Sequence, residues 1–575
     1  MAAKTIRIAG KDVEVGEFDC MDFVPFHEGP EVLPHDLLFH TLHSIAATND
    51  RPAIVDQKTG YTATYQQLVS DIVVCRNRLR ATLKPETIEA IRREREVSIL
   101  LWSAGYEFTV GFFAVLALGA IAVPLSPNIT VPEALHYSRT VAAHGMLTSS
   151  PYILKAKQIQ QRLAQELEFK ILGTTSLLKS PLIDMRTIRF QSGRVYDQNK
   201  SALVIFTSGS TGPPKGVAVR RYNLFYSAHT VIQSQGLGVH TRTVQFLPTH
   251  HATGLLFNTI PTLVAGGCVE FDQGNFDPGS VWERIRSGDL KTFSAVPTIY
   301  VRLLRHWNAV ISQRPDKEQY LKALSEISYF ASSTSALSRQ TFAQWLKLSG
   351  KPISERYGGS EFGNVYINPP GLSPVPGSVG VENPASESKL ADGDHGEILV
   401  RGPMLFAKYV NDPVATYQAF DSDGFYKTGD IGRREGNIYF IEGRASIDSI
   451  TKPAVIKSGG YKISALDIEM ELNSHPKVEE GIIVGVEDEE FGQRIAAAVV
   501  LKNPKDTLTL QELRQDLRAS LSNYKLPTML RVVPELKKTP TMKIPKKLIK
   551  GELFGSAHPE IQRWGKGMTD KESKL

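Results

Sequence analysis

The chain has 575 residues, more than one ordinary hydrophobic core organises, so at least two domains are expected. Its 66 basic and 60 acidic residues leave a formal charge of +6 spread along the whole length, which argues against a polyanion-binding surface and against a nucleic-acid partner. Cys20, Cys75 and Cys268 are odd in number, widely spaced and outside any CxxC or Cys/His cluster, so neither a disulfide framework nor a zinc site is indicated and a reducing compartment fits best.

The first segment, MAAKTIRIAGKDVEVGE, lacks the continuous apolar core of a secretory signal and carries the acidic residues that a mitochondrial presequence avoids. Residues 1–35 are read as an extension. From 36 to 443, short β-rich runs alternate with amphipathic stretches: VSILLW, YEFTVGFFAVLALG and AIAVPL, then ALVIF, VQFLP and CVEF. That alternation predicts an α/β domain of layered, largely parallel sheets. Its most apolar stretch, Val110 to Val123, is 14 residues long, too short to span a bilayer and right for a buried helix running into a strand. Stable membrane insertion is not expected.

Residues 444–457 are polar and rich in Gly and Pro, which reads as an interdomain hinge. Residues 458–575 then form a smaller α+β unit with strands at 481–486 and 496–501. Thr509 and Glu512 make a T-x-x-E capping box that opens a helix, with Leu510, Leu513, Leu517 and Leu521 on one face. The final Ser573, Lys574 and Leu575 spell a peroxisomal address at the end of a polar tail, so a peroxisomal import receptor is the expected partner and the peroxisome the expected compartment.

Residues 201–216, SALVIFTSGSTGPPKG, place an apolar strand before Thr207, Ser208, Gly209, Ser210, Thr211, Gly212 and Lys215. Hydroxyls, open backbone amides and one ammonium suit a polyphosphate, because small residues let N–H groups approach oxyanions. It is not a Walker A loop, since Lys215 is followed by Gly216 and no hydroxyl is left to hold magnesium there.

This loop resembles the [ST]SG[ST]TGxPKG loop of the superfamily of acyl-CoA synthetases, peptide-synthetase adenylation domains and luciferases. YGGSE (357–361) is similar to that family's YGxTE, YKTGD (426–430) to its YxTGD, Gly443-Arg444 to its GR, and Lys543 in LKKTPTMKI to the lysine of its LPxTxxGKI, all in the family's order. LPTHHATG (247–254), AVPTIY (295–300), ERYG (355–358) and SGGYKISALDIE (458–469) look most like malonyl-CoA synthetases and their fungal relatives.

The resemblance implies a mobile C-terminal domain and a two-step reaction: ATP and magnesium convert a small carboxylic acid to an acyl-adenylate with loss of pyrophosphate, then coenzyme A displaces AMP. Both are displacements among anions, so charge neutralisation and alignment are the task. It implies that Thr207, Ser208, Gly209, Ser210, Thr211, Gly212 and Lys215 hold the terminal phosphates and that Glu361, with Thr207, carries Mg2+. It assigns Ser360 to the α-phosphate and Asp430 with Arg444 to the ribose. Ser335, Glu355, Arg356, Tyr357 and Gly358 fall to the nucleotide. Lys543 bridges carboxylate and α-phosphate; the domain swings about Asp448, bringing Ser458, Gly459 and Gly460 to coenzyme A. His251 is assigned to the acyl pocket as a gate and not as a general base, because carboxylates are already ionised at neutral pH.

Two departures stand out. Lys457 follows Asp448 by nine residues where the family has three, so six residues are extra, either a lengthened hinge loop or a gene-model artefact; and Met542 replaces a glycine before Lys543. Gly359 also replaces the bulky residue that malonate-selective relatives carry after YG, which favours a deeper pocket and a medium-length or functionalised aliphatic acid, with malonate or another short dicarboxylate as the alternative. Arg339 and Arg356 are candidates to pair with a second carboxylate. A free-standing adenylation enzyme that loads a carrier protein and a catalytically silent relative remain as further alternatives.

Overall fold

The computed structural model describes residues 4–8, 11–15, 29–174, 178–191, 196–207, 214–272, 276–444, 455–458, 461–488, 492–521, 523–538, 544–555 and 559–564. Two seven-stranded sheets form the large domain. In the first, strands Ser98–Trp102, Ile121–Pro124, Gly145–Thr148, Lys170–Gly173 and Ser201–Thr207 run parallel, and Lys215–Arg220 and Lys408–Tyr409 close one edge antiparallel. In the second, Pro52–Asp56, Arg242–Gln245, Cys268–Phe271, Thr292–Ala295, Tyr329–Ser332 and Ile353–Glu355 are parallel, with Tyr61–Thr64 antiparallel at the edge. Strands covered on both faces read as unbroken apolar runs, which is why SILLW and ALVIF carry so few polar residues.

The apolar stretch at Val110 belongs to helix Gly105–Leu118, which shares one core with Ile99 and Leu101 of the first sheet and Ile54, Val269 and Phe271 of the second. Being buried all round, it needs no polar face. It ends at Gly119, whose left-handed φ of 91° lets the chain turn directly into Ile121–Pro124.

The largely parallel sheets expected of the large domain are present, and between 357 and 444 antiparallel pairing joins them. There Glu387–Asp392, His395–Arg401, Tyr426–Glu435 and Ile438–Arg444 form an antiparallel sheet, because two of its connections are two-residue turns too short for a crossover helix.

The small domain is a six-stranded sheet centred on Gly492–Leu501, which pairs with Val478–Asp488 and Met529–Val532. Helix Leu510–Leu517 opens on Thr509 with both halves of the capping box formed, and its leucines share a buried cluster with Leu521. Among the described residues, ion pairs from Arg305 Nη2 to Glu479 Oε1 at 2.5 Å and from Arg339 Nη1 to Glu471 Oε1 at 3.5 Å join the domains. Among the described residues, no helix is long and apolar enough to cross a membrane.

Candidate active site

A cleft of 2730 Å³ opens where Phe206-Thr207, Ser332-Ser333 and Glu355-Arg356 leave the carboxyl ends of their strands, and residues of the small domain close its far side. Ligands of open parallel sheets bind at such ends because loops of independent length converge there.

At one end Thr207 and Lys215, which flank residues 208–213 in sequence, are cross-strand partners. Lys215 Nζ lies 3.5 Å from Asp412 Oδ2 and 5.2 Å from the centre of the Tyr409 ring. Tyr409 in turn donates from its hydroxyl to Glu361 Oε1 at 3.5 Å. The lysine and carboxylate expected to meet phosphate and Mg2+ thus converge, although 146 positions separate them. Among the described residues there is no group of three or more His, Cys, Asp or Glu side chains suited to a metal. One carboxylate fits this ion all the same, since Mg2+ commonly takes one or two carboxylates and completes its shell with water and substrate phosphates.

In the middle, Tyr357 donates its hydroxyl to Asp430 Oδ2 at 2.7 Å, and burial pushes the Tyr357 hydroxyl well above its ordinary range, so it stays a donor. Asp430 is also the strand partner of Arg444. Ser335 is exposed in the loop that follows Tyr329–Ser332, where Thr334 takes a φ of 77°. Glu355 anchors this loop: its Oε2 accepts from Leu337 N at 2.9 Å, and Gly377 donates a second backbone bond. Its carboxylate therefore serves the loop that carries Ser335. Gly358 and Ser360 line the same wall, and a Cβ on Gly358 would lie 2.3 Å from Gly363 O, so no larger residue fits that backbone.

The other end holds a buried cation. Arg356 is 7 % exposed, its guanidinium sits 5.6 Å from the centre of the Phe257 ring, and its Nε and Nη1 have no hydrogen-bond partner. Burial lowers its pKa from the arginine norm. Ser332, whose carbonyl accepts from Arg356 N at 3.0 Å, also has an unpartnered buried Oγ. The His250 and His251 rings lie 4.2 Å apart and tilted by 47°, and burial, then the neighbouring His251, lower His250 to about 3, leaving it neutral. Phe257 belongs to a π-turn, Leu255–Thr259, and neither it nor Phe362 stands out in the sequence.

Gly359 does not deepen this pocket. A Cβ built there would meet Phe362 Cε1 at 2.7 Å, so the Phe362 ring already occupies the space a side chain would take. Arg339 is engaged with Glu471 and is 63 % exposed, which leaves Arg356 as the one of the two expected arginines that reaches the cleft.

Ser208, Gly209, Ser210, Thr211, Gly212, Asp448, Gly459, Gly460, Met542, Lys543, Ser573, Lys574 and Leu575 lie outside the described residues. Lys538 and Ile544, on either side of 539–543, line the cleft, whereas Ser458, at the end of strand Val455–Ser458, does not.

Comparison with known proteins agrees with this geometry. The family model described as AMP-binding enzyme matches residues 42–410, and that described as AMP-binding enzyme C-terminal domain matches 467–543. The chain is 32 % identical to the mitochondrial malonate–CoA ligase ACSF3 of Xenopus laevis, over 76 % of this chain and 80 % of that protein. It is 29 % identical to a CoA ligase of Gibberella moniliformis, over 91 % and 95 % of the two chains. Among solved structures, ATP-bound MatB from Rhodopseudomonas palustris superimposes with a TM-score of 0.74 at 23 % identity, covering 90 % of this chain and 99 % of that one.

Proposed function

Because the chain belongs to the family of AMP-binding enzymes, we propose that its cleft activates a short carboxylic acid bearing a second carboxylate. The chain is an ATP-dependent CoA ligase. Its chemistry asks for cations and donors fixed where negative charge gathers, and Thr207, Lys215 and Glu361 converge at one end of the cleft while Tyr357 and Asp430 occupy its middle. A magnesium ion held by Glu361 would supply charge neutralisation at the phosphates.

The observation that carries the substrate is Arg356. A buried guanidinium with two unpartnered N–H groups is costly unless an anion arrives to complete it. The neutral His250 cannot supply such a charge, and the Phe257 ring lies against the Arg356 guanidinium. The malonate–CoA ligase named among the relatives supports the same substrate class.

The test is a thioester screen with ATP, Mg2+ and CoA across malonate, methylmalonate, succinate, hexanoate and decanoate, in the parent and in Arg356→Met. Malonate or a close homologue should be preferred, and Arg356→Met should lower kcat/KM for it about a hundredfold, the scale for unpairing a desolvated charge. Preferential use of hexanoate or decanoate would replace this reading with the medium-length one. Transfer to a carrier protein in place of free CoA would reassign the second half-reaction.

We further propose import into peroxisomes through Ser573, Lys574 and Leu575, on the strength of that tripeptide. A reporter carrying the last residues should become punctate and lose that pattern when the three are removed.

A further inference from the structure

Behind the acyl end of the cleft lies a buried amide that does not line it. Gln245 ends strand Arg242–Gln245 and is 1 % exposed. Its Nε2 donates to Leu247 O at 2.7 Å and to Gly254 O at 3.2 Å, and its Oε1 accepts from Asn258 Nδ2. It thereby ties together a strand end, the loop that carries His250 and His251, and the π-turn Leu255–Thr259. Thr259 Oγ1 adds a bond to Gly254 O at 2.8 Å, and Thr262 Oγ1 one to Asn258 O at 2.8 Å. A π-turn inserts one residue into a helix, has poorer geometry than its α-helical flanks and persists only where neighbours hold it. The added residue rotates the helix face, and in this chain it is Phe257 that faces the Arg356 guanidinium.

We propose that Gln245 and Asn258 are positioning residues: their amide pair holds the π-turn in register and, through Phe257, sets the length of acid whose far end reaches Arg356. The inference rests on the dicarboxylate reading above. An α-helical register at 255–259 would carry Phe257 away from the guanidinium and leave room for a longer chain between the adenylation site and the cation.

The experiment compares kcat/KM for malonate and succinate in the full-length parent, Asn258→Leu, the milder Asn258→Ser, the swapped pair Gln245→Asn with Asn258→Gln, and Arg356→Met. Thermal unfolding and KM for ATP are followed in parallel. Asn258→Leu and Asn258→Ser should lower the malonate-to-succinate ratio about tenfold, the scale on which an apolar pocket resolves one methylene. KM for ATP should stay put, and the swapped pair, which keeps both amides, should recover most of the ratio. A ratio that stays at the parent value in both Asn258 variants overturns the inference. So does a swapped pair that behaves like Asn258→Leu, or a fall in turnover equal for both acids. The two failures separate cleanly: unchanged malonate use in Arg356→Met overturns the dicarboxylate reading, whereas an Arg356→Met that loses malonate beside Asn258 variants that do not change overturns the positioning role alone.

Discussion

Glu355 lines the cleft and at the same time holds part of its wall in place through its carboxylate. Burial raises its pKa from 4.5 to about 7, against the lowering effect of the Leu337 and Gly377 amides. In the unfolded chain the same carboxyl ionises near the ordinary glutamate value. Between about pH 4.5 and 7 the folded state therefore holds a proton that the unfolded state has released. The stability this group contributes is complete below 4.5 and is lost as pH rises through 7, by about 3 kcal/mol at most. Glu355→Gln, which keeps an acceptor for Leu337 N and cannot ionise, should gain on the parent in Tm as pH climbs from 4.5 to 7.5. Parallel Tm curves for the two proteins over that range would show that Glu355 does not titrate there. The site is sensitive to this group because Thr334, strained at a φ of 77°, and the exposed Ser335 belong to the loop it holds.

At the scale of elements, local patterns were legible and cross-chain ones were not. The helix Gly105–Leu118 and the strand after it follow from one apolar run and a stop at Gly119; the capping box at Thr509 follows from four residues. The convergence of Lys215 with Glu361 was open to motif reasoning, because each lies in its own short signature. The two-residue turns of 387–444, the π-turn at Leu255 and the Phe362 ring behind Gly359 were hidden. Each depends on contacts between distant parts of the chain or on a backbone register that no hydrophobic period encodes. Arg356 and Arg339 looked alike in sequence, and only packing assigned one to the cleft and the other to Glu471. At the end of the short helical turn Ala252–Gly254, Gly254 carries a testable constraint. Its Cβ would fall 2.3 Å from Pro248 O and 2.8 Å from Gln245 Nε2, so alanine must push this turn away from the strand end. Gly254→Ala should cost about 1–3 kcal/mol of stability, the usual range for overpacking. The displaced His251 and Phe257 should raise KM for the acid while leaving KM for ATP near the parent value. Parent-like unfolding and parent-like KM for the acid would show that this segment shifts without disturbing the acyl end.

The two domains meet in an arrangement that turns one particular face of the small domain toward the cleft. Lys538 and Ile544, which bracket Lys543, line the cavity, and Ser458 does not. The resemblance assigns Lys543 to the first half-reaction, so we propose that this orientation serves adenylate formation, with Arg305–Glu479 and Arg339–Glu471 holding it from the large domain's side. Exposed ion pairs are individually worth about 0.2–1 kcal/mol, too little to matter for folding but enough to tilt an equilibrium between two domain orientations severalfold. Lys502 sharpens the expectation: burial and the nearby Arg305 lower its pKa, while Glu479 opposes them, so Glu479 is the anion between two cations. Reversing it in Glu479→Arg sets three positive groups together and should disfavour this orientation. Malonate-dependent pyrophosphate exchange, which reports adenylate formation, should slow severalfold, while transfer from preformed acyl-adenylate to CoA should hold or quicken. Adding Arg305→Glu returns an anion beside Lys502 and should restore exchange. Raising the salt should shrink the gap between parent and Glu479→Arg, because screening removes attraction in one and repulsion in the other. If both half-reactions slow by one factor, or if the double reversal fails to recover exchange, the ion pairs only decorate an orientation fixed by other contacts.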